Sequence, residues 1–228
     1  MNIIGISGLA GSGKDTAADM ILQHKGIVKV SLADPIKRFA KEMWDFSDDQ
    51  LWGQSQFRNA PDPRYEVKPG EFLTPRHVLQ HLGTEGARAI DYDVWIRYTI
   101  RIAKTLLEAK PGEFCYSSQE GLQSYIEQYP QGEFERMEGF PEKVKVVVIP
   151  DVRFKNEIQH IRGAGGIMLR VIRPGAGLEG SFALHQSEAE MADIPDAEFD
   201  IVIKNVGTLN DLKTSVDEFV TTLLHKDL

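Results

Sequence analysis

The feature that most constrains the fold of this chain is a glycine-rich turn at residues 8–16, with the sequence Gly-Leu-Ala-Gly-Ser-Gly-Lys-Asp-Thr. The apolar run at residues 3–6 precedes the turn and predicts a buried strand. Residues 16–22 follow it and predict a helix that buries Ala17, Met20 and Ile21. A strand, a glycine-rich turn and a helix in this order are the context that a phosphate-binding loop requires.

Each part of this turn has a physical role in holding a phosphate group. Glycines allow the backbone to curl around an anion because they have no Cβ. The backbone N–H groups of the turn and of the helix start then point at the phosphate oxygens. Lys14 adds a positive charge for the outer phosphates of a nucleoside triphosphate. The predicted ATP-binding residues are Gly8, Ala10, Gly11, Ser12, Gly13, Lys14, Asp15 and Thr16.

The turn departs at one position from the common phosphate-binding pattern, in which a hydroxyl residue follows the lysine. Here Asp15 takes that place and the hydroxyl comes one residue later, at Thr16. Small-metabolite kinases such as adenylate kinase are similar in this shift. Asp15 has three possible roles: a magnesium ligand through water, an acceptor of the substrate's proton, or an acid that a helix start favours. An ordinary strand-to-helix turn without phosphate is the alternative to the whole motif.

Composition limits the class of protein. A chain of 228 residues can bury the core of one domain, and a net charge of −8 argues against a general partner of nucleic acid or of anionic membranes. Cys115 is the single cysteine, so no intramolecular disulfide can form. No signal peptide or membrane-length apolar run is visible. We therefore expect small-molecule partners, no nucleic-acid polymer, no membrane and a cytoplasmic location.

Strand-like segments alternate with helical segments along the chain. The short runs rich in Val and Ile are residues 3–6, 26–31, 144–149, 167–172 and 199–203. This alternation predicts an α/β fold of three layers, in which a five-stranded parallel sheet carries helices on both faces. Residues 144–149 form the strongest run and are predicted to be the central strand.

The remaining segments are predicted to build the rest of a single domain over residues 1–228. A helical acceptor-binding part covers about 34–110, and an insertion, partly helical near 122–128, covers about 111–143. The helix that begins at Asp34 has four residues at inward spacing: Ile36, Phe39, Ala40 and Met43. Residues 48–70 are rich in Pro, Asp, Gln and Arg and predict a long functional loop. Further helices are predicted from residue 75, with Thr74 as the cap, and from residue 93 to about residue 109.

Two charged residues follow one of the predicted strands, at the edge where ligands bind in such sheets. Asp151 and Arg153 come after the run 144–149. Asp151 is expected to organise magnesium, although a helix cap would also explain it. Arg153 is expected to contact the phosphates of donor and acceptor, although an exposed ion pair with Glu157 is the alternative.

Cationic side chains are concentrated between the second and third predicted strands, which suggests an anionic acceptor. They are Lys37, Arg38, Arg58, Arg64, Arg76 and Arg88. Trp95 is a candidate for stacking on a base, although an aromatic residue at helical spacing often belongs to the core. No Asn-Lys-x-Asp motif is present, which weighs against a GTPase.

Several blocks in order along the chain resemble one known family. They are Gly8-x4-Gly13-Lys14-Asp15-Thr16, Ala33-Asp34-Pro35-Ile36-Lys37, Thr74-Pro75-Arg76 with Leu82-Gly83-Thr84, Asp93-Val94-Trp95, Asp151-Val152-Arg153-Phe154 with Asn156-Glu157, and His185-x-Ser187-Glu188. Through these blocks the chain resembles the bacteriophage deoxynucleoside monophosphate kinases, which belong to the P-loop kinases of small metabolites. The segment 111–143 matches least.

This resemblance implies transfer of the γ-phosphoryl group of ATP to a deoxynucleoside 5′-monophosphate, assisted by Mg²⁺. The implied active-site residues are Asp15, Asp151, Arg153 and Glu157, which join Lys14 of the glycine loop as the predicted catalytic residues; Asp15 and Asp151 are predicted to lie near the metal through water. The implied monophosphate-binding residues are Lys37, Arg76 and Trp95, and Arg38 and Arg88, from the concentration of cations, are predicted to bind the substrate with them. A homodimer is plausible, and a phage-encoded chain would work in the host cytoplasm. A kinase of dephospho-coenzyme A or phosphomevalonate, and a non-catalytic nucleotide-binding switch, remain open.

Overall fold

A computed structural model describes residues 2–110, 143–177, 190–191 and 193–225 of the chain. The described residues divide into two units. The first unit comprises residues 2–32 and 96–110 together with the described residues from 143 onward, and the second comprises residues 33–95. The arrangement of the whole chain as a single domain stays a prediction.

The helices and the main strands are numbered in chain order. The strands are β1 (Ile3–Ser7), β2 (Ile27–Lys29), β3 (Val146–Ile149), β4 (Ile167–Ile172) and β5 (Ile201–Lys204). The helices are α1 (Lys14–Ile21), α2 (Asp34–Trp44), α3 (Asp48–Leu51), α4 (Ser55–Asn59), α5 (Pro75–His81), α6 (Ala87–Ile90), α7 (Val94–Glu108), α8 (Lys155–Gly163) and α9 (Leu209–His225). A π-helical turn, Leu82–Gly86, joins α5 to α6.

The five strands of the first unit form one sheet in the order β2-β3-β1-β4-β5, and every neighbouring pair is parallel. The predicted parallel sheet is therefore confirmed. The strand predicted as central is β3, whose four residues are all buried, yet β1 holds the middle position. Local hydrophobicity identifies a strand that is covered on both faces, whereas the order of the strands depends on the crossover connections.

Helices cover both faces of this sheet, as predicted. Ile4 and Ile6 of β1 belong to a buried cluster with residues of α1 and α9. The intervening Gly5 points to the opposite face because side chains alternate along a strand. There a Cβ at Gly5 would come within 2.5 Å of Met168 Sδ and 2.7 Å of Ile161 Cδ1, so α8 packs closely on that face.

The prediction for the buried side of α2 is wrong in part. Ile36 and Ala40 are buried, but Phe39 is 49% exposed and Met43 is 60% exposed. Helical periodicity identifies residues on one side of a helix, while the width of the covered stripe depends on what packs against it. Only Ala40 among these four residues belongs to the buried cluster of the second unit, with Phe46, Leu51 and Val78.

The prediction of a long loop at residues 48–70 is also wrong in part. This stretch contains α3 and α4, and it begins a short antiparallel hairpin, Glu66–Lys68 with Glu71–Phe72. A capping box starts α3: Ser47 Oγ accepts from Gln50 N, and Gln50 Oε1 accepts from Ser47 N. The Ser-x-x-Gln pattern was the signal for this helix start.

The helices predicted from residues 75 and 93 are confirmed as α5 and α7, and Thr74 caps α5 as its hydroxyl accepts from His77 N at 3.1 Å. The insertion 111–143 (apart from Lys143), the helix near 122–128 and the block His185-x-Ser187-Glu188 lie outside the described residues. Within the described part of the chain, no helix is long and apolar enough to cross a membrane.

Candidate functional site

The loop at residues 8–13 leaves the carboxyl end of β1 and enters α1 at Lys14. It turns back on itself through a hydrogen bond from Ser12 N to Leu9 O at 3.0 Å. Gly13 caps the helix with φ +94°, a left-handed backbone conformation that strongly favours glycine. The local sequence therefore makes the tight strand-to-helix turn that the glycine pattern predicts.

This loop presents several hydrogen-bond donors that have no acceptor in the part of the chain that the structure describes. Within the described residues, we find no acceptor for the backbone N–H groups of Gly13, Lys14 and Asp15. The buried hydroxyls of Ser7 and Ser12 also have no hydrogen-bond partner there. The positive end of the helix dipole adds to these donors. The arrangement fits an anion such as a phosphate group, which would satisfy several donors at once.

Two other segments hold the loop in place. Asn205, directly after β5, donates from Nδ2 to Ser12 O at 2.9 Å, and Gly177 N donates to Ala10 O at 2.9 Å. Gly8 also packs closely, since a Cβ there would lie 2.6 Å from Val171 O. We did not predict Asn205 from the sequence. The available signal was its position immediately after a strand, which is also the position from which Asp151 and Arg153 were predicted to reach the site.

A cluster of charges surrounds Lys14, which is itself buried. Lys14 Nζ lies 3.2 Å from Asp15 Oδ2 and 3.5 Å from Asp151 Oδ1. Arg153 Nη2 lies 3.1 Å from the same Asp151 Oδ1. The structure therefore brings together four of the five predicted catalytic side chains, although β1 and β3 are far apart in sequence.

Asp151 has an unusual backbone and an unusual pKa. Its φ of +65° is left-handed, a conformation that non-glycine residues rarely adopt, that costs free energy, and that persists only where the surrounding structure imposes it. Burial raises the pKa of its carboxyl, but the charges of Arg153 and Lys14 outweigh burial and lower the pKa to about 2. Asp151 is thus ionised at neutral pH.

The buried carboxylate of Glu157 shapes the segment that carries Arg153. Glu157 Oε2 accepts hydrogen bonds from the backbone N–H of Arg153 at 2.7 Å and of Phe154 at 3.1 Å. The cap that we considered for Asp151 is therefore supplied by Glu157. The guanidinium of Arg153 pairs with Asp151, a contact that the sequence analysis did not anticipate.

Two carboxylates in this cluster fit a role near a magnesium ion. Asp15 and Asp151 both lie against Lys14, and Asp15 is 78% exposed. Magnesium keeps several waters and binds through one or two carboxylates plus substrate phosphates. The donor set therefore suits a metal that is completed by nucleotide. Within the described residues, no group of three or more His, Cys, Asp or Glu side chains could hold a metal ion.

The predicted substrate-binding residues Lys37, Arg38, Arg76, Arg88 and Trp95 all lie in the second unit. Lys37 Nζ lies 5.6 Å from the ring centroid of Trp52, and the buried Arg88 stacks on Tyr92 at 5.0 Å. Arg76 donates to Asn59. Trp95 Nε1 donates to Gly83 O at 3.0 Å. Arg38 is half-buried on α2.

The two other cations proposed for an anionic acceptor have partners inside the second unit. Arg58 donates to the carbonyls of Leu51 and Gly53, each at 3.2 Å. Arg64 pairs with the buried carboxylate of Asp62 at 2.8 Å. These contacts give both side chains a role in holding the short elements of residues 48–70.

Comparison with known proteins points to one family. A family model described as deoxynucleotide monophosphate kinase matches residues 2–60, which include the glycine loop and α2. A putative deoxynucleotide monophosphate kinase of Acanthamoeba polyphaga mimivirus is 29% identical and covers 95% of this chain and 94% of its own. The deoxynucleotide monophosphate kinase of Enterobacteria phage T4 is 23% identical over 98% of this chain and 100% of its own.

The resemblance to the deoxynucleotide monophosphate kinases is confirmed. It extends over nearly the whole chain, since both viral relatives align with at least 95% of it. Among solved structures, a dephospho-CoA kinase from Campylobacter jejuni superimposes with a TM-score of 0.42 and 14% identity, over 100% of this chain and 99% of that chain.

Proposed function

We propose that this protein transfers the γ-phosphoryl group of ATP to a deoxynucleoside 5′-monophosphate, and thereby forms the diphosphate and ADP. The observation that carries the proposal is the contact of Lys14 and Arg153 with one oxygen of Asp151, beside the glycine loop. The names of the two viral relatives support the choice of acceptor.

The donor nucleotide is assigned to the glycine loop. Phosphoryl transfer depends mainly on positioning and on neutralising charge, because little covalent chemistry falls to the protein. The N–H groups of Gly13, Lys14 and Asp15, which have no acceptor among the residues that the structure covers, can donate to phosphate oxygens. The ammonium of Lys14, held between two carboxylates, is placed to contact the outer phosphates.

Asp15 and Asp151 are the residues that would hold a magnesium ion through water. When bound, magnesium neutralises the negative charge that develops on the transferred group. Asp151 suits this role because its carboxyl stays ionised well below neutral pH. Asp15 is more exposed, and a role as proton acceptor for the substrate remains part of the proposal for that residue.

Arg153 is proposed to contact the transferred phosphoryl group. Its guanidinium offers several donors in one plane, which suits bidentate contact with phosphate oxygens. Contact with a phosphate would replace part of its present pairing with Asp151. Glu157 is proposed to act through Arg153, because its carboxylate bonds to the backbone of that residue. It is thus a positioning residue in this proposal.

The acceptor is proposed to contact the substrate-binding residues predicted from the family resemblance and from the concentration of cations: Lys37, Arg38, Arg76, Arg88 and Trp95. The positive charge of four of them suits a monophosphate. The homodimer and the host cytoplasm are kept as proposals as well, the latter because both named relatives are viral proteins.

The test is a substrate panel with ATP and Mg²⁺. It contains deoxy- and ribonucleoside monophosphates, dephospho-coenzyme A and phosphomevalonate, and measures both ADP and the phosphorylated acceptor. We expect ADP to form only with an added deoxynucleoside monophosphate, in equal amount to its diphosphate. Turnover of dephospho-coenzyme A or phosphomevalonate alone would move the assignment to another metabolite kinase. Nucleotide binding without any transfer would indicate a switch.

A further inference from the structure

Asn205 connects the last strand of the sheet to the glycine loop. Its side-chain Nδ2 donates to Ser12 O at 2.9 Å, while its backbone N–H donates to Ile172 O at the end of β4, at 2.7 Å. Asn205 and Ser12 are both buried. The loop is therefore tied, through one amide group, to a residue whose backbone is itself fixed to the sheet.

This contact determines the orientation of one peptide group. The peptide bond between Ser12 and Gly13 is trans, so its C=O and its N–H point in opposite directions. Because Asn205 holds the Ser12 carbonyl, the Gly13 N–H points away from Asn205. That N–H has no acceptor among the described residues.

Packing reinforces the hydrogen bond. A Cβ at Gly13 would lie 2.5 Å from Asn205 Nδ2, closer than real Cβ contacts, and φ at Gly13 is +94°. The side chain of Asn205 thus occupies the space beside the same peptide that it bonds. Rotation of this peptide would require Asn205 to move or its hydrogen bond to break.

We propose that Asn205 is a positioning residue for nucleotide binding, which keeps the Gly13 N–H directed at a phosphate of the donor. The inference rests on the proposed function, because it assigns the loop to the donor nucleotide. It concerns the donor alone, so the affinity for the acceptor should not depend on it. A role limited to satisfying a buried carbonyl would affect stability without changing the affinity for nucleotide.

The experiment compares Asn205→Ala and Asn205→Asp with wild type. Alanine removes the amide, whereas aspartate keeps its size and replaces the donor with an oxygen that repels the Ser12 carbonyl. Asn210→Ala, on the exposed side of α9, is the matched control. Steady-state kinetics are measured with ATP and an accepted monophosphate, ADP binding is measured by calorimetry, and thermal unfolding is recorded without nucleotide.

We expect kcat/KM for ATP to fall by about 10- to 100-fold in both Asn205 variants, as for other displaced binding groups. ADP binding should weaken in parallel, with KM for the monophosphate changed less than about twofold because no acceptor contact is lost. Asn210→Ala should match wild type in every measurement. The alanine variant tests the inference even if the aspartate variant, which buries a carboxylate, does not fold.

Two outcomes would overturn the inference while the proposed function stands. One is unchanged kinetics and ADP binding in both Asn205 variants. The other is a lower melting temperature with normal KM for ATP and normal ADP binding, which would show a purely structural role. If wild type neither binds ADP nor transfers phosphate, the proposed function fails and the inference fails with it.

Discussion

Lys14 and Arg153 meet at one atom: Lys14 Nζ lies 3.5 Å and Arg153 Nη2 lies 3.1 Å from Oδ1 of Asp151. One cation begins the helix after the glycine loop, and the other follows the inner strand β3. Two cations that share a carboxylate, beside N–H groups that have no acceptor in the described part of the chain, fit the proposed binding of an anion with several charges. This arrangement underlies the predictions for the first unit.

Replacing Lys14 with alanine should abolish transfer. Removing one preorganised cation or donor from a phosphoryl site costs about 10³-fold or more in kcat/KM. Asp151 keeps its pairing with Arg153 in this variant, so the fold should persist. Steady-state kinetics measure the loss of transfer, and circular dichroism checks that the fold persists. Lys155→Ala, an exposed lysine at the start of α8, is the control, and activity near wild type in Lys14→Ala would contradict the assignment.

Replacing Arg153 with alanine should lower kcat by about 10³-fold if its guanidinium contacts the transferred group. Arg153→Lys should recover only part of this loss, because an ammonium cannot make planar bidentate contacts. Steady-state kinetics with both substrates varied distinguish the effects on kcat and KM. A rise in KM with normal kcat would limit Arg153 to substrate binding.

The carboxyl of Asp151 should make stability depend on pH in acid. Its pKa falls from 3.8 to about 2 in the folded state, so its contribution is complete above about pH 4 and is lost as the pH falls toward 2. We expect about 1 kcal/mol after allowance for solvent screening of the partly exposed carboxylate.

Urea unfolding of wild type and Asp151→Asn between about pH 5 and pH 2 measures this contribution. This interval includes the pKa of the Asp151 carboxyl in both the unfolded and the folded protein. Asparagine tolerates the left-handed backbone, so the comparison isolates the charge. The free energy of unfolding of the variant should change less over this range than that of wild type. Parallel curves for the two proteins would refute the role of the Asp151 charge.

Two partners of Arg64 offer a matched test of burial in the second unit. Arg64 Nη2 lies 2.8 Å from buried Asp62, and its Nη1 lies 3.1 Å from Asp45, which is 94% exposed. Asp62→Asn should lower the free energy of unfolding by about 1–3 kcal/mol, because a buried charged hydrogen bond is lost. Asp45→Asn should leave it nearly unchanged. Chemical unfolding at neutral pH checks both, and equal effects would contradict the explanation by burial.

The acid response of Asp62 has the same sign as that of Asp151. Hydrogen bonds from Arg64 outweigh burial and hold the pKa of Asp62 well below its usual range. Its contribution to stability is therefore present above the pKa of the unfolded chain and is lost as the pH falls. In Asp62→Asn the free energy of unfolding should therefore fall less in acid than it does in wild type. Chemical unfolding at several pH values measures this, and an equal fall in both proteins would contradict the prediction.

Local features of the chain were predictable where one short segment determines its own structure. The strand 3–7, the glycine turn and α1 follow from apolar periodicity and from positions such as Gly13, whose backbone only glycine adopts easily. Thr74 before Pro75 similarly identified the start of α5. These signals lie within a few residues of each other.

The exposed Phe39 and the short helices after Ser47 were harder to predict. Phe39 lies at core spacing on α2, but no pattern states how wide a surface the neighbouring elements cover. The helix Asp48–Leu51 has only four residues, too few to form by propensity alone, so its stability depends on its cap and its packing.

The parallel α/β sheet and the glycine turn could be predicted from short stretches of the chain, because periodicity and glycine geometry act within one segment. Three features depend on how the chain packs in three dimensions: the middle position of β1, the Asp151 oxygen that Lys14 and Arg153 share, and the hydrogen bond from Asn205 to Ser12. These contacts join residues distant in sequence, and strand order brings them together. Strand order depends on the packing of the whole sheet and its helices, which no local pattern encodes.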